Sequence, residues 1–555
     1  MKPFGNFGFR QGNFAREQGM KLTIEGLKDT ESWKKAGVTI PSYDVAAMQE
    51  RTRKEPVWVH FGAGNIFRMF IGGLQDTLLN GGLSDKGIIA AETFGFDIID
   101  EVYVPYDNLV LGVTLRPDGS VGKRVIGSLA EGIKSVSGDT DGWRRMKEIF
   151  AARSLQMVSF TITEKGYALY GSDGSLLPAA SADIASGPAT PKTAMGQVAA
   201  LLFHRFLRGG APVAVVSMDN CSHNGEKLRA SVTTMAGEWQ ERGMVSAEFV
   251  AWLSDEGNVS FPWSMIDKIT PRPSEEIGRK LEEAGIEKMK PFVSAHKTYI
   301  APFVNAEGPQ YLVIEDRFPN GRPALEKAGV YFTDRDTVNN VERMKVTTCL
   351  NPLHTSLAVY GCLLGYTLIA DEMRDADLSA LVTKIGPVEG MPVVTDPKIL
   401  SPKAFVDEVI NVRLPNPFMP DTPQRIACDT SQKVGIRFGE TIKSYVARDG
   451  SAEKLTAIPL AIAGWLRYLL AVDDDGNGFE LSPDPMLDEL RGKLSGVELG
   501  KPESAEGKLK PILSNANIFG SDLYKAGLGE KIEGMFREEL SGKGAVRATL
   551  HKYVG

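Results

Sequence analysis

Along residues 56–82, PVWVHFGAGNIFRMFIGGLQDTLLNGG, an apolar run meets glycines, and Phe67, Phe70, Ile71, Leu74 and Leu78 then recur at helical spacing. That order predicts a strand, a tight turn and a helix. A second strand is predicted for GIIAAET at 87–93, after a glycine-containing turn, and further strands at Gln156–Ile162 and Pro212–Ser217. Helical patterns lie between them, so the amino-terminal half reads as α/β. From about residue 340 the texture changes. Thr355–Ala370, Pro402–Val412 and Ala452–Val472 carry longer helical patterns with few alternating runs, which predicts a mainly α-helical carboxy-terminal half. Between the halves, Asp316–Pro323 is dense in turn formers and marks the expected connection.

Composition narrows the class. A chain of 555 residues with 43% hydrophobic and 24% charged side chains is expected to form several compact, soluble units. Its formal charge of −7, from 63 basic and 70 acidic residues, supplies no general attraction for nucleic acid or anionic lipid, and neither is expected as a partner. The four cysteines form no CxxC pair, in keeping with a reducing, cytoplasmic setting. The opening residues MKPFGNFGFRQGNFAREQGMKL lack the apolar segment and cleavage site of a secretory signal. Leu455–Val472, the longest apolar stretch, contains Pro459 and Arg467 and predicts a buried helix rather than a membrane span.

Chemistry enters at the glycine turn. Gly62 and Gly64 let the backbone reverse sharply after a strand and leave peptide N–H groups free to face a pyrophosphate at the helix start. Phe67 occupies the third glycine position of a full fingerprint, where it is expected to hold the helix further from the strand. At the end of the second strand Glu92, ahead of Asp97, is the expected acceptor for ribose hydroxyls, and an acid there favours NAD over NADP. Three polar segments, TITEKGY (161–167), SMDNCSHNG (217–225) and FPWSMIDKITP (261–271), lie where strand ends should meet a cleft. They offer Glu164, Asn220 and Asp267 as positional candidates, although Asp219–Asn220 also fits a turn that satisfies its own backbone. In MKVTTCLNPLHTSLAVYGCLLGY (344–366), Asn351 and His354 share one helix face, which an internal partner or a polar substrate must satisfy. Lys345 precedes them, and a lysine desolvated in a cleft can serve as general base. The six histidines form no HxxxH or HxH pair, so no metal site is expected.

Taken together and in order, several segments resemble the polyol-specific long-chain dehydrogenases, the mannitol dehydrogenase family with its hexuronate reductases. They are GAGNIFR, VIGSLAEGI (125–133), TITEKGY, SMDNCSHNG, FPWSMIDKITP, QYLVIEDRFPNGRPALEKAGV (310–330), Lys345 with NPLH, DTPQRIACDTSQK (421–433) and AIAGWLRYLL (461–470). The resemblance implies a metal-independent, NAD-dependent oxidoreductase of small sugar acids or polyols. A Rossmann-type domain is expected over 56–325, a helical substrate domain over 326–555, and an extension, 1–55, packing on the first domain. By motif, Lys345 is the implied general acid/base, Asn220 and Asn351 the amide pair that stabilises the alkoxide, and His354 a substrate-orienting group. Asp267, Arg425, Lys433 and Glu164 make up the implied substrate-binding set, and Gly62, Gly64, Asn65 and Glu92 the cofactor-binding set. Cations at Arg425 and Lys433, with Lys268 nearby, suit a carboxylate. Reduction of D-fructuronate to D-mannonate is therefore expected ahead of tagaturonate reduction or mannitol-type polyol oxidation. A sugar-acid or dinucleotide sensor without turnover is the alternative from another class.

Two features depart from the family pattern. Asn351 stands one residue further from Lys345 than is usual, and NPLH replaces the more familiar NGSH. An extra residue turns a regular helix by ~100° and would swing Lys345 off the shared face. A bulge or break between Thr347 and Pro352 is expected to absorb it, since prolines and π-bulges interrupt helices in this way.

Overall fold

The structure, a computed structural model, describes residues 19–171 and 173–555, so part of the expected extension, residues 1–18, lies outside the described residues. Six strands form one parallel sheet: β1 (Trp58–Phe61), β2 (Ile88–Glu92), β3 (Leu129–Lys134), β4 (Met157–Phe160), β5 (Val213–Ser217) and β6 (Val259–Ser260). Their spatial order is β3-β2-β1-β4-β5-β6, every pairing parallel. The runs WVHF, MVSF and VAVVS are buried at every position, as strands covered on both faces require. Helices Asp141–Ala151, Ala194–Leu207 and Asn224–Glu241 cover one face, and the segment after the glycine turn covers the other. The strand order reverses between β1 and β4, which opens a crevice at the carboxyl ends of the strands.

Two further sheets escape the sequence pattern. Val38–Thr39, Val121–Ile126, Val110–Leu115 and Phe303–Glu307 form a four-stranded sheet, which draws residues before 56 into the first domain. Leu22, Trp33, Val45 and Met48 share a core there with Leu111, Val125 and Phe303. The second, of three strands, comprises Ser264–Asp267, Tyr311–Glu315 and Tyr331–Thr333. Side chains alternate across a strand, and this sheet uses both faces: Met265 and Val313 join the helical core, whereas Ile266, Leu312 and Ile314 join the core of the parallel sheet. It is the shared wall of the two halves.

The helical half begins with α1 (Arg335–Met344) and α2 (Asn351–Leu363), and its core is built around α3 (Ala457–Tyr468). Every residue of α3 is buried, Arg467 included, whose guanidinium donates to the carbonyls of Val472 (2.7 Å) and Asp473 (3.2 Å). α2 lies close against α3 at Gly464, where a Cβ would come within 2.6 Å of the Tyr360 ring. Among the described residues no helix is long and apolar enough to cross a membrane.

Candidate active site

After α1 the chain does not continue as a regular helix. Lys345–Cys349 form a π-helical turn, closed by Leu350 N–H donating to the Lys345 carbonyl (3.1 Å), and Leu350 itself breaks the helix at φ −131°, ψ −62°. Pro352 then sits in the first turn of α2, where a missing N–H costs nothing. The wide turn absorbs the extra residue, and it starts at Lys345 itself rather than after Thr347. Lys345 is thereby turned inward, 2% exposed, with Nζ donating to Asn220 Oδ1 (2.9 Å) and to the Ile266 carbonyl (3.1 Å).

Asn220 is held out by its neighbours. Asp219 accepts from the N–H groups of Ile162 and Thr163 (2.9 Å each) and from the Tyr167 hydroxyl (2.5 Å). Asn224 donates to the Asp219 carbonyl (3.0 Å) and accepts from Ser264 N–H (3.0 Å). The local-turn reading thus describes Asp219, while Asn220 faces a cavity of about 390 Å³ between the two halves. Asn220, Ile266, Asp267 and Lys268 line it from the first domain, and Asn351, His354, Arg413, Asp421 and Arg425 from the second. The Asn351 side chain makes no hydrogen bond to any described residue.

Charge is distributed unevenly in this cavity. Arg413 forks onto Asp267, with Nη1 to Oδ2 at 2.5 Å and Nη2 to Oδ1 at 3.1 Å, and reaches Glu307 with Nε (3.1 Å) and Nη2 (2.9 Å). Burial lowers the Lys345 pKa, and Asp267, which opposes this, does not reverse it. Burial raises the Asp267 pKa, but Lys345 and Arg413 outweigh it and leave that carboxyl below its ordinary value. His354 Nε2 stands 3.0 Å from Asp421 Oδ2, and the other Asp421 oxygen pairs with Arg425. Burial first, then Arg437, Arg425 and Arg413, lower the His354 pKa, and a neutral ring holds this contact by donating from Nε2, leaving Nδ1 as acceptor.

Three expectations change. Lys433 does not reach the cavity, because its ammonium folds back onto the Cys428 carbonyl (2.5 Å) of its own loop. Glu164 is also outside, exposed and paired with Lys227 on the neighbouring helix. Lys268 does line the cavity, but its Nζ is directed to the carbonyls of Glu307 (2.5 Å), Gly308 (3.3 Å) and Pro309 (3.4 Å), so it has no N–H left for an anion. Sequence reasoning missed Arg413 and Asp421, which lie in or beside quoted segments but carry no motif of their own.

A second space, about 520 Å³, opens at the carboxyl ends of β1 and β2 and is lined by Gly62, Gly64, Glu92, Phe94, Thr161 and Thr163. Gly62 adopts φ +103° and is pressed against the next strand, where a Cβ would meet the Thr161 carbonyl at 2.3 Å. Gly64 faces open space, and the helix begins at Asn65, so the first N–H groups have no acceptor within it. Glu92 accepts from the N–H groups of Ala63 (2.9 Å), Thr93 (3.0 Å) and Phe94 (3.2 Å), which ties the second strand to the turn. A carboxylate has about four lone-pair positions, so this one keeps capacity for a hydroxyl. These features fit a dinucleotide: open backbone donors for a pyrophosphate and an acid beside them. The Asn65 side-chain oxygen accepts from Arg68 (2.7 Å). Phe67 stacks on His60 at 4.2 Å, and a π-helical turn over Phe67–Ile71 takes up its bulk. Asp97 pairs with His296 instead (2.8 Å).

Comparison with known proteins matches both halves of the chain. Residues 57–327 match the mannitol dehydrogenase Rossmann domain and residues 337–538 the mannitol dehydrogenase C-terminal domain. A D-mannonate oxidoreductase of Thermotoga maritima is 53% identical over 97% of this chain and 99% of its own. Among solved structures, a D-sorbitol dehydrogenase in substrate-free form superposes with a TM-score of 0.75 at 27% identity, covering 93% of this chain and 98% of its own. Mannitol 2-dehydrogenase of Pseudomonas fluorescens, in a ternary complex with NAD and D-mannitol, superposes with a TM-score of 0.69 at 27% identity, covering 96% and 99%. With both family domains matched in order and a majority-identical relative along nearly its whole length, the chain belongs to the mannitol dehydrogenase family of oxidoreductases.

Proposed function

We propose that this protein interconverts D-fructuronate and D-mannonate with NAD(H), Lys345 serving as the general acid/base. The observation that carries the reading is the hydrogen bonding of the Lys345 amine. An uncharged amine has two N–H groups and one lone pair; Asn220 Oδ1 and the Ile266 carbonyl take the two N–H groups, so the lone pair is left for a substrate hydroxyl. The amine accepts that proton without reorganising, since its two existing bonds persist in the ammonium. Asn220 Nδ2 and the unpartnered Asn351 amide supply donors where the oxygen becomes an alkoxide, the point at which fixed donors lower a barrier most. His354, oriented by Asp421, keeps Nδ1 as an acceptor for a neighbouring substrate hydroxyl. Gly62, Gly64 and Glu92 would hold NAD(H), which would supply the hydride acceptor for the carbinol carbon in oxidation and the donor in reduction.

An acid substrate is supported by Arg425. It stands at the mouth of the cavity, pairs with Asp421 through Nη2, and keeps its other N–H groups for a carboxylate. The majority-identical relative named for D-mannonate points the same way. Initial rates with NADH and NADPH on fructuronate, tagaturonate and fructose test the proposal. Fructuronate with NADH is expected to turn over fastest; faster turnover of neutral fructose rejects the acid-substrate reading.

A further inference from the structure

Resting on the reading of Lys345 as base, we infer that Arg413 is a positioning residue: by occupying both oxygens of Asp267 it keeps that carboxylate from capturing the Lys345 amine, which stays uncharged and able to accept a proton. The geometry is that of a three-way lock. Arg413 ends a π-helical turn, Val409–Arg413, in the helical half, Asp267 ends the strand Ser264–Asp267, and Glu307 ends the strand Phe303–Glu307. All three side chains are buried, at 3%, 7% and 0% exposure. Asp267 directly follows Ile266, whose carbonyl accepts from Lys345. A carboxylate on the residue next to the ammonium's acceptor would stabilise the protonated form unless another cation satisfied it first.

Arg413 is suited to that task where a lysine would not be. Its planar fork meets Asp267 with two N–H groups and still reaches Glu307 with two more, which a point charge cannot do. The charged groups acting on Lys345 are Asp267 from the first domain, Arg413 from the second and Glu342 on the preceding helix α1, while Lys268 and Glu307 belong to the group around Asp267 and Arg413. Across the cavity stand His354, Asp421 and Arg425. Among them Asp267 and Glu342 favour the ammonium, whereas burial and Arg413 oppose it. Removing Arg413 subtracts a cation and releases a carboxylate, and both changes push Lys345 toward its charged form. Removing the Asp267 charge does the reverse.

The test is the pH dependence of kcat for D-mannonate oxidation with NAD in wild type, R413K, R413M, D267N and the R413M/D267N double variant, with K345A as reference. The acid limb is expected to move upward in R413M by about 1–3 pH units, the range for gain of an opposite-charge neighbour, and by less in R413K. It should move downward in D267N and return toward wild type in the double variant. R413M should recover most of its kcat at high pH, which a merely loosened fold does not do. Should R413M fail to fold, R413K and D267N decide the matter through their opposite shifts. Rates lowered equally at every pH, or limbs moving in the same direction in R413K and D267N, overturn the inference while leaving the base intact. Wild-type turnover that survives K345A undiminished removes the base itself, and the role of Arg413 with it.

Discussion

Each half contributes a buried lysine to the cavity region, Lys268 in its lining and Lys345 bonded to the lining residues Asn220 and Ile266. On the wall from the first domain Lys268 meets three backbone carbonyls, so its ammonium is fully bonded. From the helical half Lys345 meets one carbonyl and one side-chain amide, and one position on its nitrogen is left. Burial lowers both pKa values, that of Lys268 to about 8 with Glu307 opposing. What separates a structural cation from a candidate base here is therefore the count of acceptors around the nitrogen, not burial.

Substitution of each lysine gives the sharpest break between the two. Lys345→Ala is expected to lower kcat by roughly 100- to 10,000-fold with KM little changed, the usual worth of a positioned proton acceptor. A similar loss in Lys268→Met would erase the distinction. Asn351→Ala comes next, with a fall in kcat of roughly 100- to 1,000-fold and an unchanged melting temperature, because the amide bonds none of the described residues. Lys268→Met should show the converse pattern: kcat within tenfold of wild type, and about 1–3 kcal/mol of unfolding free energy lost as buried carbonyls lose their donor.

The smallest effect lies in stability against pH. The folded-state pKa of Lys345 is depressed, while an unfolded lysine titrates near about 10.4. Between those values the unfolded chain binds more protons, so the Lys345 contribution to stability rises with pH across that window. Lys345→Met removes the term. Its melting temperature should exceed that of wild type most clearly near neutral pH, and the gap should narrow toward pH 10. A gap that widens with pH contradicts a depressed pKa.

How much of this was legible beforehand follows from sequence distance. The glycine turn, the strand-end Glu92 and the buried helix α3 are local patterns, and the apolar runs marked them. Lys345, Asn351 and His354 were legible as residue types at nearly the right spacing, and even the need for a bulge could be argued, because helix geometry is local too. Arg413 was not legible: its partners Asp267 and Glu307 lie 146 and 106 residues away. That Lys433 and Glu164 fall outside the cavity lining was not legible for the same kind of reason, since nothing local announces that one folds back on a carbonyl and the other meets a helix cation. The four-stranded sheet also escaped notice, because it joins Phe303–Glu307 to Val110–Leu115 across nearly two hundred positions.

By itself the amino-acid sequence determined the α/β and helical halves, the glycine turn after the first strand, and the residue types of the candidate site, since each follows from short-range periodicity, backbone sterics and side-chain chemistry. Only the tertiary structure decided which lysine keeps a free position, which carboxylate is already occupied, and which cation stands at the mouth. Those are matters of hydrogen-bond capacity spent or unspent, and the partners that spend it arrive from distant parts of the chain.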